Sequence, residues 1–354
     1  MYVKTRYSIV RMLLWTRWES SFFILLPAAV VALHVFAGFH FLVVPWTPVA
    51  LIGTAVAFII GFQNSAAYGR IWEARKIWGG IVNTSRTWGM KTRDMVTNEH
   101  AKDPLPEEEL KEHRETLVYR HIAWLTALRH AMRATRPWEV FSESKTNREA
   151  ARNVHIPERI SSLEDDLFLY LNPEESEYIQ TKKNKPVALL YLQSKHILEL
   201  KKLGVIWEFS FIELENLLEE LLTLQGKSER IKNFPYPRQY ATLSYCFVWI
   251  FIALLPFGLV PEFASIGNSI DGEFSTMIKD TFIWLSVPFC AVVSWVFHTM
   301  MRIGTVGENP FEGSANDVPI STISRGIEID LRQMMDEEDD FIPLQFPEED
   351  HVQM

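Results

Sequence analysis

Apolar positions along the chain gather into four stretches, separated by one long segment in which apolar and polar residues alternate at helical spacing. The first stretch, about residues 21–44, holds no Asp, Glu, Lys or Arg and is long enough to cross a hydrocarbon core of about 30 Å. Pro45, Trp46, Thr47 and Pro48 predict a short turn, with Trp46 placed as an interfacial aromatic. A second stretch follows at about residues 49–69, so the two form a membrane hairpin. A second hairpin is predicted from stretches at about 240–260 and 277–301, joined by a polar, acidic connection over residues 261–274 without Lys or Arg. Basic residues stand at the other ends: Lys4, Arg6, Arg11 and Arg17, then Arg70, Arg75 and Lys76, then Arg230, Lys232 and Arg238, then Arg302. Positive charge marks the cytoplasmic side of short membrane loops. Both termini and the middle of the chain are therefore expected in the cytoplasm.

The middle segment is too polar to enter lipid. Residues 119–132 repeat Ile122, Leu125, Leu128 and Met132 at helical spacing. Pro186 opens a long helical pattern predicted to run to about Leu224, with Gly226 as its stop. Residues 97–115 and 141–185 read as loops with shorter helices, and no strand pattern persists. The expected organisation is an all-α membrane protein: an N-terminal hairpin (1–78), a cytoplasmic helical region (79–235), a C-terminal hairpin (236–302) and a cytoplasmic C-terminal segment (303–354) with an acidic tail at residues 336–340.

Composition narrows the function. Of 354 residues, 48% are hydrophobic, and the net charge is -9, the opposite of the concentrated positive charge that nucleic acid requires. Cys246 and Cys290 lie in apolar stretches and read as small buried hydrophobes. His34, His40 and His298 sit in or beside the spans, and His121 and His130 flank Arg129 without a carboxylate or thiol at ligand spacing. No phosphate loop, nucleophile elbow or zinc-protease motif is present. Neither an enzyme nor a bound metal or cofactor is expected.

The most informative stretch is FIIGFQNSAAYGRIWEARKIW, residues 58–78. It starts in lipid and ends in cytoplasm without a helix breaker beyond the single glycines Gly61 and Gly69, which predicts one continuous helix. Asn64, Ser65, Ala66 and Gly69 are small or polar residues at depth; small residues let helices approach closely in lipid, and polar ones need a partner or a water-filled cavity. Thr54, Phe58 and Phe62 follow one another at four-residue spacing and share a face. In a single bundle that stripe is core. In a ring of identical helices it lines an axis, where an aromatic constriction gates by dewetting and ring edges favour an anion.

The segment GFQNSAAYGRIWEAR (residues 61–75) resembles the bestrophin family, its bacterial members above all. So do the Pro-x-Pro at Pro235 and Pro237, LLPFGL at residues 254–259, and ENPFEGSANDVPI at residues 308–320. The resemblance implies a homopentameric channel for small ions with a hydrophobic neck on the second span. Counted back from Gly61 and Phe62, the neck positions are Phe62, Phe58 and Thr54, with Asn64 and Ser65 just inside. It implies a second, inner aperture at an apolar residue of the long middle helix: Phe209, with Ile206 and Ile212 as neighbouring candidates. Two departures stand out. Animal members clasp calcium with an acidic run after Asn-Pro-Phe, whereas only Glu312 and Asp317 stand here, too few for an ion that prefers six or more oxygens. Thr54 replaces a bulky apolar residue, which predicts a wider, wetter outer end.

The partners expected are four further copies of the chain, membrane lipids and small inorganic ions, in the inner membrane. Chloride or another anion is the favoured ion. A sodium-type cation channel of the same fold is the alternative. A membrane-anchored interaction protein without ion flux is the reading from another class, and a coupled transporter lacks the inverted repeats that would support it.

Overall fold

The computed structural model describes residues 1–41, 43–139, 145–152, 154–269 and 281–354. Among these the chain is helical, and the β pairing seen consists of isolated bridges, Tyr2 with Val352 and Glu349 with Val352.

Among the described residues, four helices are long and apolar enough to cross a membrane. A short helix, α1 (Ile9–Trp15), leads through Thr16 into α2 (Arg17–Phe36). The first span is thus shorter at its outer end than the apolar run predicts, because Gly38 takes a positive φ of 68° directly after the Ala37 cap. The second span is the N-terminal half of α3 (Trp46–Met95), one unbroken helix of 50 residues, about 75 Å at 1.5 Å per residue. Residues 58–78 lie within it, in one continuous helix as expected. Then come α4 (Glu107–Arg133), the short α5 (Lys145–Arg152), α6 (Pro157–Ile160), α7 (Leu163–Phe168) and α8 (Pro173–Gln180), the long α9 (Lys185–Leu203) and α10 (Glu208–Asn233), the spans α11 (Arg238–Asn268) and α12 (Ser286–Gly307), and α13 (Ile320–Met334).

The single middle helix expected from Pro186 to Leu224 is two helices. Gly204 adopts φ +81°, and the N–H groups of Gly204 and Val205 close back on the carbonyls of Lys201 and Leu200 at 3.0 and 3.1 Å. This is a Schellman stop, which needs a left-handed residue. Gly226, expected to stop the helix, lies inside α10. Its propensity cost of about 1 kcal/mol is outweighed by burial of Leu221, Leu224 and Ile231 around it. The third span also outruns its expected end. It passes through Pro256 and Pro261 to Asn268, so residues 261–268 of the predicted polar connection are helical. Pro261 has no N–H to give the carbonyl four residues back, and that carbonyl, Phe257 O, instead accepts from Val44 N at 3.1 Å. The proline thereby ties the turn before α3 to α11.

Two cores result. The membrane core joins Phe23, Val49, Val56, Ile60, Val248, Phe251, Ile252, Leu255, Cys290 and Met301. The second core is built around Trp78, Trp88 and Trp124, with leucines and isoleucines of α4, α9, α10 and α13. Helix α3 runs through both and fixes one against the other.

Candidate functional site

The stripe on α3 is bare in the single chain. Phe58 is 67% and Phe62 75% exposed, and Thr54 is exposed above them, while Val49, Val56 and Ile60 on the opposite face are buried. Together with Trp46, Ala50, Gly53, Ala57, Gly61 and Ser65, and with Phe251 and Phe297 as a side wall, these residues line an open apolar groove of about 860 Å³. Gly53 allows the side wall to approach: a Cβ there would lie 2.7 Å from the ring of Phe251. The Thr54 hydroxyl donates to the carbonyl of Ala50 at 2.9 Å, so it projects a methyl and lone pairs rather than a free donor.

Below the stripe the two polar candidates part. Ser65 is exposed and lines the groove. Asn64 turns away, onto α12: a Cβ on Gly304 would stand 2.6 Å from Asn64 Oδ1. Its neighbour Gln63, passed over in reading the sequence, is buried and donates from Nε2 to Glu308 Oε1 at 3.0 Å. Glu308 is fully buried at the end of α12. Its other oxygen accepts from Arg238 Nη2 at 3.0 Å, and its carbonyl accepts from Arg70 Nε at 2.7 Å. Arg70 also donates to the carbonyls of Ile231 and Phe234 at 3.0 and 2.9 Å, which answers why a guanidinium stands at that depth: it holds the end of α10 and the turn into α11. Burial pushes the Glu308 carboxyl above the ordinary carboxylate range, against the pull of Gln63 and Arg238. The signal for Gln63 was its depth in the span, since a buried amide needs a partner; that the partner is Glu308 could not be read from the order of residues.

The segment after α12 is folded on itself. Asp317 accepts from the amides of Gly313 and Ser314 at 2.6 and 3.1 Å and pairs with the Ser314 hydroxyl, and Arg133 Nη1 lies 3.8 Å away. Asn309 Nδ2 donates to Glu312 Oε2 at 3.2 Å. Gly313 permits the turn with φ +102°. The two carboxylates that a calcium clasp would draw upon are thus engaged with amides.

At the far end of the body, Gly204 turns the chain so that Val205 and Ile206 enter the core, whereas Trp207, Phe209 and Ile212 remain exposed. Trp207 and Phe209 meet edge to face at 4.7 Å. Of the three inner-aperture candidates, Phe209 and Ile212 are on the surface and Ile206 is not. His121, on α4, stacks on Trp88 at 5.9 Å and meets the tilted ring of Trp124 at 5.2 Å, and burial lowers its pKa to about 3, so it is a neutral core residue.

A sequence model of a family described as Bacterial/Fungal Bestrophin protein matches residues 3–268 and 276–333. Among characterised sequences the chain is 28% identical over 291 residues to the voltage-dependent anion channel-forming protein RSc3414 of Ralstonia nicotianae, covering 82% of this chain and 78% of that one. It is 26% identical over 308 residues to the voltage-dependent anion channel-forming protein YneE of Escherichia coli K12, covering 87% and 82%. Among solved structures it is similar to a bacterial Bestrophin homolog from Klebsiella pneumoniae, with a TM-score of 0.68 and 23% identity over 91% of this chain and 99% of that one. That likeness carries the fold.

Proposed function

The chain belongs to the bacterial and fungal bestrophin family, and on that premise we propose that it is a passive channel for small anions in the inner membrane, assembled as a homopentamer with both termini in the cytoplasm. One observation carries the reading. Helix α3 buries one face in the membrane core and leaves Thr54, Phe58 and Phe62 uncovered in a row on another. Five such helices around an axis turn the three residues into stacked rings. Apolar rings of that kind hold back water until the channel opens, and phenylalanine edges offer positive potential to a partly dehydrated anion. Ser65 supplies a hydroxyl at the inner end of the neck, and Phe209 and Ile212 supply the inner aperture. The names of the relatives, anion channel-forming proteins, agree in ion sign.

The test is reconstitution of the purified chain in planar bilayers under a salt gradient. A reversal potential on the anion side, with particles of five chains, supports the proposal. A reversal potential on the cation side transfers it to the sodium-type alternative. Absence of current in a properly inserted protein overturns it in favour of an interaction protein.

A further inference from the structure

The first helix carries a surface that the channel reading does not use. Helix α1 meets the first span at Thr16, so it lies where that span leaves the membrane. Its inward side is pinned: Trp15 Nε1 donates to Asn147 Oδ1 at 2.7 Å, and Arg302 donates to the Trp15 carbonyl at 2.8 Å with its guanidinium 4.2 Å from the Trp15 ring. Thr16 Oγ1 accepts from Trp295 Nε1 at 2.9 Å. The outward side is apolar and bare. Ile9 is 76%, Val10 66% and Trp18 61% exposed, with Leu13 and Leu14 beside them.

Basic side chains gather around that apolar face. The chain carries -9 overall, yet Lys4, Arg6, Arg11, Arg17, Lys145 and Arg148 are all exposed or half-buried here. Glu149 answers Arg17 at 2.5 Å and Asp350 answers Arg11 at 2.6 Å; among the described residues Lys4, Arg6, Lys145 and Arg148 show no carboxylate partner. The Trp18 ring stands between two of these cations, Arg17 at 5.7 Å and Lys145 at 5.9 Å from its centroid.

We propose that α1 lies in the membrane interface and that Lys145 and Trp18, with Arg17 shared between Glu149 and the lipid, hold the phosphate headgroup of an anionic phospholipid. Continuity with the span places the apolar face against acyl chains, as in an interfacial amphipathic helix. An exposed Trp suits the glycerol level. The unanswered cations supply the attraction for anionic lipid over zwitterionic lipid. Through Trp15 and Arg302 the site is joined mechanically to α12.

The experiment titrates the purified full chain in detergent with phosphatidylglycerol or phosphatidylcholine and counts adducts by native mass spectrometry. Phosphatidylglycerol is expected to bind about tenfold tighter, and R17Q/K145Q to bring it down to the phosphatidylcholine level. In vesicles of phosphatidylglycerol and phosphatidylcholine, brominated acyl chains are expected to quench the share of fluorescence that W18F removes, a readout that does not need the double variant to fold. Equal binding of phosphatidylglycerol by both proteins, or its displacement by equimolar inorganic phosphate, overturns the proposal. Absence of quenching overturns it too, and assigns the face to a neighbouring subunit. None of these readouts requires ion flux, so the proposal and the channel reading fail separately.

Discussion

Gln63, in the second span, donates its amide to the buried carboxylate of Glu308 at 3.0 Å, joining two residues 245 positions apart. That bond links the helix bearing the aromatic stripe to the Asn-Pro-Phe segment behind it, and Arg238 completes the carboxylate from the third span.

Replacing Glu308 with Gln is expected to cost less than Glu308→Ala, because its amide oxygen keeps one of the two bonds, whereas Glu308→Ala is expected to cost about 1–3 kcal/mol by orphaning both Gln63 and Arg238. Burial raises the Glu308 pKa. Its titration therefore favours the folded chain below the ordinary carboxylate pKa, and that contribution is lost as pH rises through the raised value. Melting curves in detergent across pH should show this slope in wild type and lose it in Glu308→Gln.

Glu158 is expected to behave with the opposite sign. Burial alone would raise its pKa, but Arg129 at 2.6 Å, Arg133 at 3.8 Å and the Ser321 hydroxyl overcome burial and lower it. Its contribution is present above the ordinary carboxylate pKa and is lost as pH falls through the lowered one. Glu158→Ala should cost about 1–3 kcal/mol, since it removes one of the two carboxylates beside each guanidinium while Arg129 keeps Asp166 at 3.2 Å and Arg133 keeps Asp317 at 3.8 Å. Chemical denaturation at neutral and acidic pH measures both effects.

Phe58→Ala should raise single-channel conductance severalfold or relax ion discrimination, because removing the middle ring widens and wets the neck. Phe209→Ala should change rectification or discrimination less. Bilayer recordings that leave both quantities unaltered in Phe58→Ala would take this residue out of the neck.

Gly53→Ala and Gly304→Ala should each destabilise the membrane bundle by about 1–3 kcal/mol through overpacking. The added methyl meets the ring of Phe251 at 2.7 Å in the first and the side chain of Asn64 at 2.6 Å in the second. Gly61→Ala, where nothing lies within 4 Å of the new Cβ, is the matched control and should melt like wild type.

Much of the fold was legible because lipid is an unforgiving solvent. Runs such as those around Val30, Ile60, Val248 and Val293 have no aqueous alternative, and their length and flanking charges locate the spans. The stripe of Thr54, Phe58 and Phe62 was legible because helical spacing alone puts four-residue neighbours on one face. The break at Gly204 was not. A glycine inside a helical pattern is tolerated at Gly226 and terminates at Gly204, and the difference lies in what packs around each: core leucines at one, a chain reversal that buries Val205 and Ile206 at the other. Asn64 was placed near the neck by its position in the sequence, yet it rests against Gly304 while Ser65 faces the groove.

The sequence by itself therefore determined the four membrane stretches and the face on which the aromatic residues of α3 stand. Each follows from local spacing and from the transfer energy of short segments. Only the tertiary structure decided which carboxylate answers Gln63, where the middle helix turns, and how the carbonyl released by Pro261 finds Val44. Those are pairings between groups far apart in the chain, and they are settled by burial, which makes an unanswered polar atom costly wherever the fold brings it.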